Sequence, residues 1–280
     1  MERKPEWLKI KFKGGAQYSS IKKTVEEKKL HTICSSGKCP NIGHCWGIGS
    51  ATFMIMGEIC TRCCRFCATK TGKPLPLDPA EPEKVADSIL QMKLSHCVIT
   101  SVDRDDLPDK GADHWKQTVL AIKKINPQTT VELLIPDYEE TLLDIVLESQ
   151  PDIVAHNLET VERITPSIRS KAQYQQSLKV IEKIAKKGFI AKTGIMVGLG
   201  ETEEEVITLM KACIGVGCSM MTIGQYLQPT TANIEVVEYV TPLQFEKYKK
   251  IGAQLGFKNI ESAPLVRSSY MAEKSFHQLT

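Results

Sequence analysis

The sequence lacks any long apolar run and carries little net charge. No stretch reaches the roughly 18 apolar residues that indicate a membrane-spanning helix. The basic first residues are followed by neither an apolar run nor a small-residue cleavage site, so we expect no secretory signal and no membrane span. A net charge of +3 is too small to indicate nucleic acid as a partner. We therefore expect a cytoplasmic protein that binds neither membranes nor nucleic acid.

Low-complexity tracts and interdomain linkers are also lacking. Hydrophobic residues make up 42% of the chain and charged residues 25%, which is an ordinary globular composition and excludes a disordered or fibrous protein. At 280 residues the chain has a length at which an α/β barrel forms as one domain.

Cysteine is abundant and unevenly distributed. Seven of the ten cysteines fall between residues 34 and 67, whereas Cys97, Cys213 and Cys218 are scattered through apolar segments and are typical of small buried hydrophobic residues. In a reducing compartment a dense run of cysteines indicates metal binding or catalysis rather than a disulfide framework. The cluster therefore predicts a metal site.

Short apolar runs with β character alternate with helical periods after residue 50, which is typical of βα units around a parallel sheet. We predict strands at 51–57, 97–101, 130–135, 153–156, 189–197 and 220–226. The predicted fold class is α/β, a partial (β/α)6 TIM-like barrel with N-terminal and C-terminal extensions. Its expected parts are an N-terminal extension over 1–50 with the first cysteines, a barrel over 51–262 and a C-terminal tail over 263–280.

Cys60, Cys64 and Cys67 directly follow the first predicted strand, on the face of a barrel where chemistry takes place. Closely spaced thiolates on one loop suit an iron-sulfur cluster, and three of them leave one iron open to another ligand. Two C-x-x-C pairs for zinc, or a thioredoxin-like redox pair, are the alternatives. By spacing alone, Cys63 could replace Cys64 as a ligand.

Cys34, Cys39 and Cys45 form an earlier triplet in a loop rich in glycine, proline and asparagine, which can bend around a cluster. His44 lies beside the third cysteine, so a Cys3His zinc site remains an alternative for this segment. Spacing alone does not decide between them.

The C-x3-C-x2-C spacing of the second triplet, with Phe66 before its last cysteine, resembles that of the radical S-adenosylmethionine (SAM) enzymes. The glycine-rich segment from Gly194 to Glu201 is similar to a SAM-side motif of the same superfamily. This resemblance implies a 4Fe-4S cluster whose open iron chelates SAM. It also implies that reductive cleavage of SAM yields a 5′-deoxyadenosyl radical that abstracts an unactivated hydrogen.

Seven further segments make the chain similar to the lipoyl synthase family nearly from end to end. They are Lys4-Pro-Glu-Trp-Leu8, Cys39-Pro-Asn-Ile-Gly43, Ala51-Thr-Phe-Met-Ile-Met-Gly57, Thr100-Ser-Val-Asp-Arg-Asp-Asp-Leu-Pro-Asp109, His156-Asn-Leu-Glu-Thr160, Gly224-Gln-Tyr-Leu-Gln-Pro229 and Arg267-Ser-Ser-Tyr270.

This closer resemblance implies a second, auxiliary 4Fe-4S cluster, held by the first triplet and by Ser269. The implied activity is a sulfurtransferase reaction that inserts two sulfur atoms, taken from the auxiliary cluster, at carbons six and eight of an octanoyl chain on a carrier-protein lysine. The catalytic set is then Cys60, Cys64, Cys67 and Ser269. Another radical SAM sulfur-inserting enzyme is the alternative, and an electron carrier or zinc-binding module is a third class.

The resemblance also implies contacts to SAM. Phe66 would contact the adenine through its backbone, Ser101 and Asn157 would make polar contacts, Glu132 would bond the ribose and Lys192 would lie near the carboxylate. The alternative interpretations are a turn residue for Asn157, an exposed strand position for Glu132 and a solvated charge for Lys192.

The implied partners are octanoylated lipoyl carrier proteins, namely the glycine cleavage H protein and the lipoyl domains of 2-oxoacid dehydrogenase E2 subunits, together with an electron donor. The sequence departs from the family pattern at Lys110, around Asn233 and at Met271, and Cys63 beside Cys64 is unusual. None of the first three is a predicted cluster ligand, so they bear on substrate-channel details more than on the reaction class.

Overall fold

The computed structural model describes residues 4–9, 14–48 and 50–277. The outermost residues of the predicted N-terminal extension and C-terminal tail lie outside the described residues. The chain divides into two compact units. We call Phe12–Cys63 with Ala68–Ile153 the N-terminal unit, and Met1–Lys11 with Cys64–Cys67 and Val154–Thr280 the C-terminal unit.

The N-terminal unit contains a sheet of four neighbouring strands, β1 (His31–Thr32), β2 (Thr52–Ile55), β5 (His96–Ser101) and β6 (Thr130–Leu134). β1 runs antiparallel to β2, and β2, β5 and β6 run parallel in chain order. A separate parallel pair is formed by β3 (Ile59–Cys60) and β4 (Lys70–Thr71). The helices of this unit are α1 (Ala16–Glu27), α2 (Ile33–Ser36), α3 (Ile42–Gly47), α4 (Glu81–Met92), α5 (Ala112–Ile125) and α6 (Glu140–Leu147).

The C-terminal unit contains the strands β7 (Ile153–Ala155), β8 (Ile190–Val197), β9 (Met220–Gln225) and β10 (Asn259–Ser262), again in chain order. β8, β9 and β10 are parallel. Its helices are α7 (Thr165–Ile168), α8 (Tyr174–Lys186), α9 (Glu203–Gly215), α10 (Pro242–Leu255) and α11 (Ala272–His277), and a 3-10 turn forms over Glu6–Leu8.

Local signals in the sequence explain where the helices begin and end. Thr202 caps α9, because its hydroxyl accepts the N–H of Glu205 while the Glu205 carboxylate accepts the N–H of Thr202. α10 starts with Pro242 in its first turn and ends at Gly256, whose φ of +105° suits a left-handed cap. In α4, Val85 and Ile89 lie one turn apart and are buried.

The predicted α/β class is confirmed, and each of the six predicted strands is present with ends shifted by at most a few residues. Strand order follows chain order within each unit, as it does in consecutive βα units of a partial barrel. A further strand, β10, follows α10 near the end of the barrel segment and runs parallel to β9. No helix among the described residues is both long and apolar enough to cross a bilayer.

Residues 1–50 differ from the expectation of irregular chain around one amphipathic stretch. Besides α1, the described part of this segment contains α2 and α3, and these short helices carry Cys34 and Cys45. Thr32 caps α2 by accepting the N–H of Ser35, a local bond that overrides the loop propensity of the surrounding serine and glycine.

Candidate functional site

Cys60 is the last residue of β3 in the N-terminal unit, and its sulfur accepts two backbone hydrogen bonds. The backbone N–H groups of Asp103 and Arg62 point to Cys60 Sγ, with N···S distances of 3.3 Å and 3.4 Å. Cys60 is buried, and its thiol donates to Asp103 Oδ2 at 3.7 Å. Such donors stabilise a thiolate, which is the form that binds metal.

Arg62, two residues after Cys60, lies among three carboxylates. Its Nε and Nη2 atoms each donate to Asp105 at 2.9 Å, Nη1 lies 3.3 Å from Asp103 Oδ1, and Nη1 also donates to Asp137. Only 8% of the Arg62 side chain is exposed. Removing one partner of a buried ion pair costs about 3–5 kcal/mol, so this network fixes the loop firmly.

Cys64 and Cys67 belong to the C-terminal unit and form one turn, since the Cys67 N–H donates to the Cys64 carbonyl at 3.0 Å. Cys64 Sγ lies 3.6 Å from Ser170 Oγ. The Asn233 amide donates to the carbonyls of Cys67 at 2.9 Å and Arg65 at 3.1 Å. The segment with these two cysteines is thus held through its backbone.

Cys63 is exposed, whereas Cys60 is buried and Cys64 and Cys67 are half-buried. This difference in environment separates Cys63 from the three cysteines of the predicted triplet, which spacing alone could not do.

The first triplet lies within the N-terminal unit. The Cys39 N–H donates to the Cys34 carbonyl at 3.0 Å, and Cys45 follows in α3. Burial raises the pKa of the Cys34 thiol, and hydrogen bonds from Thr52 partly oppose the rise. Burial, together with the nearby thiols of Cys34 and Cys39, raises the pKa of Cys45 to about 12. The three sulfurs are therefore close enough to interact electrostatically.

Among the described residues, no three His, Cys, Asp or Glu side chains are arranged to hold a metal ion. A site for a single metal ion requires several ligands around one centre, as tetrahedral zinc does. A 4Fe-4S cluster instead binds each thiolate to a different iron. Three neighbouring thiols in the first triplet, one buried and two half-buried, and a sulfur with two N–H donors in the second are the donor chemistry that such a cluster uses.

The tail segment that contains Ser269 is fastened within the C-terminal unit. Asn157 Nδ2 donates to Ser268 Oγ at 2.8 Å. A Cβ atom on Gly224 would lie 2.1 Å from the Val266 carbonyl oxygen, so only glycine allows the tail backbone to approach β9 this closely. Ser269 itself is half-buried.

The predicted SAM contacts fall into two groups. Ser101 ends β5 and Asn157 follows β7, and both Ser101 Oγ and Asn157 Oδ1 are buried without a hydrogen-bond partner among the described residues. Glu132 and Lys192 instead lie inside β6 and β8 and are buried, so the alternatives of an exposed strand position and a solvated charge are wrong. Phe66 is half-buried.

Glu132 has a neighbour that the sequence pattern did not indicate. Its Oε2 atom lies 3.4 Å from Nε2 of His96, at the start of β5, and both side chains are buried. A carboxylate inside a parallel sheet is costly without such a neighbour.

The glycine-rich segment folds into a turn that is held by the Glu201 carboxylate. Glu201 accepts the N–H groups of Gly198 at 2.6 Å and Leu199 at 2.9 Å. Burial raises the pKa of Glu201, while these N–H bonds act in the opposite direction. A Cβ on Gly194 would lie 2.9 Å from Asn157 Oδ1 and 2.6 Å from Thr222 Oγ1, so glycine opens space at a predicted SAM contact.

The turn that leads from β2 to the cysteine loop is also fixed by buried polar groups. Met56 has a φ of 68°, and its N–H donates to Glu81 Oε2 at 2.7 Å, which also lies 2.7 Å from His114 Nε2. Gly111 leaves room for the Met56 sulfur, which would lie 2.2 Å from a Cβ at that position. His114, predicted only as a surface or core residue, is therefore part of this support.

Each departure from the family pattern has a defined place. Lys110 Nζ donates to Glu139 Oε1 at 2.9 Å, and Met271 takes a left-handed φ of 54° just before α11. Asn233 makes the two bonds to the cysteine segment described above.

Sequence reasoning did not identify Arg62, its aspartates, Asn233 or Glu81 as parts of the site. The run of aspartates after β5 was a visible signal, because four of them stand within the quoted Thr100-to-Asp109 segment. Asp137 gave no such signal, since it lies 75 residues from Arg62 in the chain.

The chain matches the model of the Radical SAM superfamily over residues 54–213. It is 61% identical over 274 residues to lipoyl synthase of Parabacteroides distasonis, covering 97% of this chain and 98% of that protein. It is also 53% identical over 275 residues to lipoyl synthase of Treponema denticola, covering 98% and 95%.

Solved structures share the fold at low sequence identity. Methylornithine synthase (PylB) matches with a TM-score of 0.61 and 12% identity, over 85% of this chain and 74% of that one. Coproporphyrinogen III oxidase (HemN) from Escherichia coli, titled a radical SAM enzyme, matches with a TM-score of 0.53 and 12% identity, over 79% and 57%. The family model and the near-full-length relatives show that the chain belongs to the lipoyl synthase family of radical SAM enzymes.

Proposed function

We propose that this chain inserts two sulfur atoms, at carbons six and eight, into an octanoyl group bound to a lysine of a carrier protein. The observation that carries the proposal is the 61% identity to a lipoyl synthase over 97% of the chain. The alternative is a different radical SAM sulfur-inserting enzyme.

In this proposal Cys60, Cys64 and Cys67 hold the 4Fe-4S cluster that binds SAM. When bound, the cluster and SAM supply the electron and the radical that remove hydrogen from an unreactive carbon. The two backbone N–H groups at Cys60 Sγ support the assignment, because they stabilise a ligating thiolate. Cys63 is left outside the ligand set because it is exposed.

Phe66, Ser101, Glu132, Asn157 and Lys192 orient SAM. The unpartnered buried oxygens of Ser101 and Asn157 support this role, since a buried polar atom without a partner costs free energy that a ligand can recover. Glu132 and Lys192 are buried charges inside strands, and such charges are more often functional than structural at a ligand site.

Cys34, Cys39, Cys45 and Ser269 hold the auxiliary 4Fe-4S cluster, whose sulfide is the sulfur substrate of the reaction. A serine oxygen is a harder ligand than a thiolate and binds iron less strongly, so it would leave first and expose the cluster. The mutual interaction of the three thiols supports their assignment to one group.

The carriers in this proposal are the octanoylated H protein of glycine cleavage and the lipoyl domains of 2-oxoacid dehydrogenase E2 subunits, with a separate electron donor and a cytoplasmic location. Residues 1–50 form the extension for the auxiliary cluster, 51–262 the radical SAM barrel and 263–280 the tail that brings Ser269.

The test is anaerobic reconstitution followed by iron counting and mass spectrometry of an octanoylated carrier peptide incubated with SAM and a reductant. About eight irons per chain and a mass gain equal to two inserted sulfurs are expected. SAM cleavage without any gain of sulfur would contradict the proposal.

Ser269→Ala is the second test. Its matched control is Ser262→Ala, because the Ser262 hydroxyl donates to the carbonyl of Phe245 in α10. Ser269→Ala should lower product yield strongly while Ser262→Ala changes it little. Equal yields for Ser269→Ala and the parent would remove Ser269 from the ligand set.

A further inference from the structure

We infer that Arg62 is a positioning residue of the cysteine loop: it ties this loop to the segment after β5 and thereby holds the Asp103 N–H on the Cys60 sulfur. The inference deepens the proposed function and rests on it where the sulfur is taken as a cluster ligand. All the groups involved lie in the N-terminal unit.

Thr61 supplies the first part of the connection between the two segments. Its N–H donates to the Asp103 carbonyl at 3.1 Å, and its hydroxyl donates to the same carbonyl at 3.0 Å. The Asp105 N–H in turn donates to Thr61 Oγ1 at 3.1 Å. These bonds align the backbones of residues 103–105 and 60–62, so any displacement of one segment also displaces the other.

Arg62 supplies the second part through its side chain. Its guanidinium binds Asp105 with two parallel bonds and reaches Asp103 and Asp137 with Nη1. Burial alone lowers the pKa of Arg62, but the carboxylates of Asp105, Asp103 and Asp137 more than reverse this and raise it. The Arg62 guanidinium is therefore charged at every working pH, and it binds carboxylates at three separate positions in the chain.

The position of the loop determines one hydrogen bond to the Cys60 sulfur. Asp103 N lies 3.3 Å from Cys60 Sγ, and its N–H can point there only while residues 103–105 keep their place against residues 60–62. An N–H donor withdraws charge from a ligating thiolate and so favours the reduced cluster. Arg62 itself does not touch the sulfur through its side chain and acts only through the position of Asp103.

The geometry of the guanidinium makes a conservative change informative. Lysine keeps the positive charge but has a single nitrogen and cannot make the two parallel bonds to Asp105. Arg62→Lys therefore weakens the connection between the two segments. It keeps a positive charge beside the three carboxylates, which protects the fold. Thr61→Val removes the hydroxyl bonds at nearly constant volume and tests the same connection independently of charge.

The matched control is Arg163→Lys. Arg163 also makes two bonds to one carboxylate, with Nε to Glu205 Oε1 at 2.7 Å and Nη2 to Glu205 Oε2 at 2.9 Å. It is well exposed, lies in the C-terminal unit, and its side chain bonds Glu205 and the Gly200 carbonyl rather than the cysteine segment. The control reports what the loss of a bidentate arginine does when no cluster loop depends on it.

Two measurements are made on the full chain: amide hydrogen exchange of peptides covering 59–62 and 102–105 before cluster loading, and a reductive titration of the loaded SAM-binding cluster followed by electron paramagnetic resonance. Arg62→Lys and Thr61→Val should speed exchange in both peptides by about tenfold or more and move the cluster potential to more negative values. Arg163→Lys should change neither quantity.

Parent-like exchange in Arg62→Lys and Thr61→Val overturns the inference, and so does an unchanged cluster potential when exchange is faster. A parent protein that cannot be loaded with a cluster at all would contradict the proposed function instead. In that case the exchange measurement alone still decides whether Arg62 fixes the loop.

Discussion

Exposure distinguishes neighbouring cysteines in the second triplet. Cys63 is exposed and Cys64 is half-buried with its sulfur 3.6 Å from Ser170 Oγ. Thiolate ligands need an environment that fixes the sulfur and limits access to oxidants. The exposed Cys63 thiol on the same loop does not limit access to oxidants, so the two cysteines should behave differently when substituted.

Cys63→Ser should retain the SAM-binding cluster, while Cys64→Ser should lose it. The expected result is about four irons fewer per chain and no SAM cleavage for Cys64→Ser only. Iron analysis and a SAM cleavage assay after the same reconstitution provide the measurement. Loss of the cluster in Cys63→Ser with retention in Cys64→Ser would exchange the two assignments.

The buried Cys218 thiol should make the stability of the metal-free chain depend on pH. Burial raises the pKa of this thiol from 9.0 to about 12. Between these values the unfolded chain loses the thiol proton while the folded chain keeps it, so the unfolded state binds fewer protons and the free energy of unfolding falls as pH rises. Below pH 9 the contribution is fully present.

Cys218→Ala should therefore show a weaker fall of the urea midpoint above pH 9 than the parent does. Urea titrations at several pH values, with the metal-free protein kept reduced, provide the measurement. Cys63→Ala is the control, because the exposed Cys63 should leave the pH dependence unchanged. Identical slopes for Cys218→Ala and the parent would contradict the assignment of the alkaline loss to this thiol.

At the scale of elements, helical periods and helix caps can be predicted from the sequence, because the residues that form them lie close together in the chain. The ends of α10 are readable from sequence, because a capping threonine, a first-turn proline and a terminal glycine mark them locally. The parallel strands were equally visible as buried apolar runs. Short α2 and α3 were missed, because four to six residues are too few to show a helical period.

The supports of the site could not be predicted in the same way. Arg62 meets Asp105 and Asp137 across 43 and 75 residues of chain, and no sequence pattern within one segment encodes such a pairing. The two cysteine triplets can be singled out as candidate ligands because their spacing is local, and Ser269 because a family resemblance supplied it. Its ligand role stays a prediction.

Asn157 provides a side-chain hydrogen bond to the C-terminal tail that can be tested by substitution. Asn157→Ala removes the donor to Ser268 Oγ and should speed amide exchange across residues 266–276 several-fold in the metal-free chain. Asn126→Ala is a matched control, because Asn126 is a buried asparagine whose Nδ2 donates to the Ala86 carbonyl at 2.9 Å in the N-terminal unit.

Exchange in the tail should be unchanged in Asn126→Ala. If Asn157→Ala also left tail exchange at the parent rate, the bond to Ser268 would not be what holds the segment with Ser269.

At the scale of the whole molecule, the account divides six cysteines between two tasks. In the proposal, Cys60, Cys64 and Cys67 serve radical formation, and the first triplet with Ser269 holds sulfur that is consumed. The division makes the chain both catalyst and sulfur source, so without renewal of the auxiliary cluster each molecule should complete no more than one round of double insertion.

The most direct test of this central claim follows the sulfur itself. The chain is loaded with clusters made from heavy-isotope sulfide, and an octanoylated carrier peptide, SAM and reductant are added in a single-turnover reaction without free sulfide. The account predicts that both inserted sulfurs carry the isotope and that Cys34→Ala still cleaves SAM but inserts none. Unlabelled sulfur in the product, or labelled product from Cys34→Ala, would contradict it.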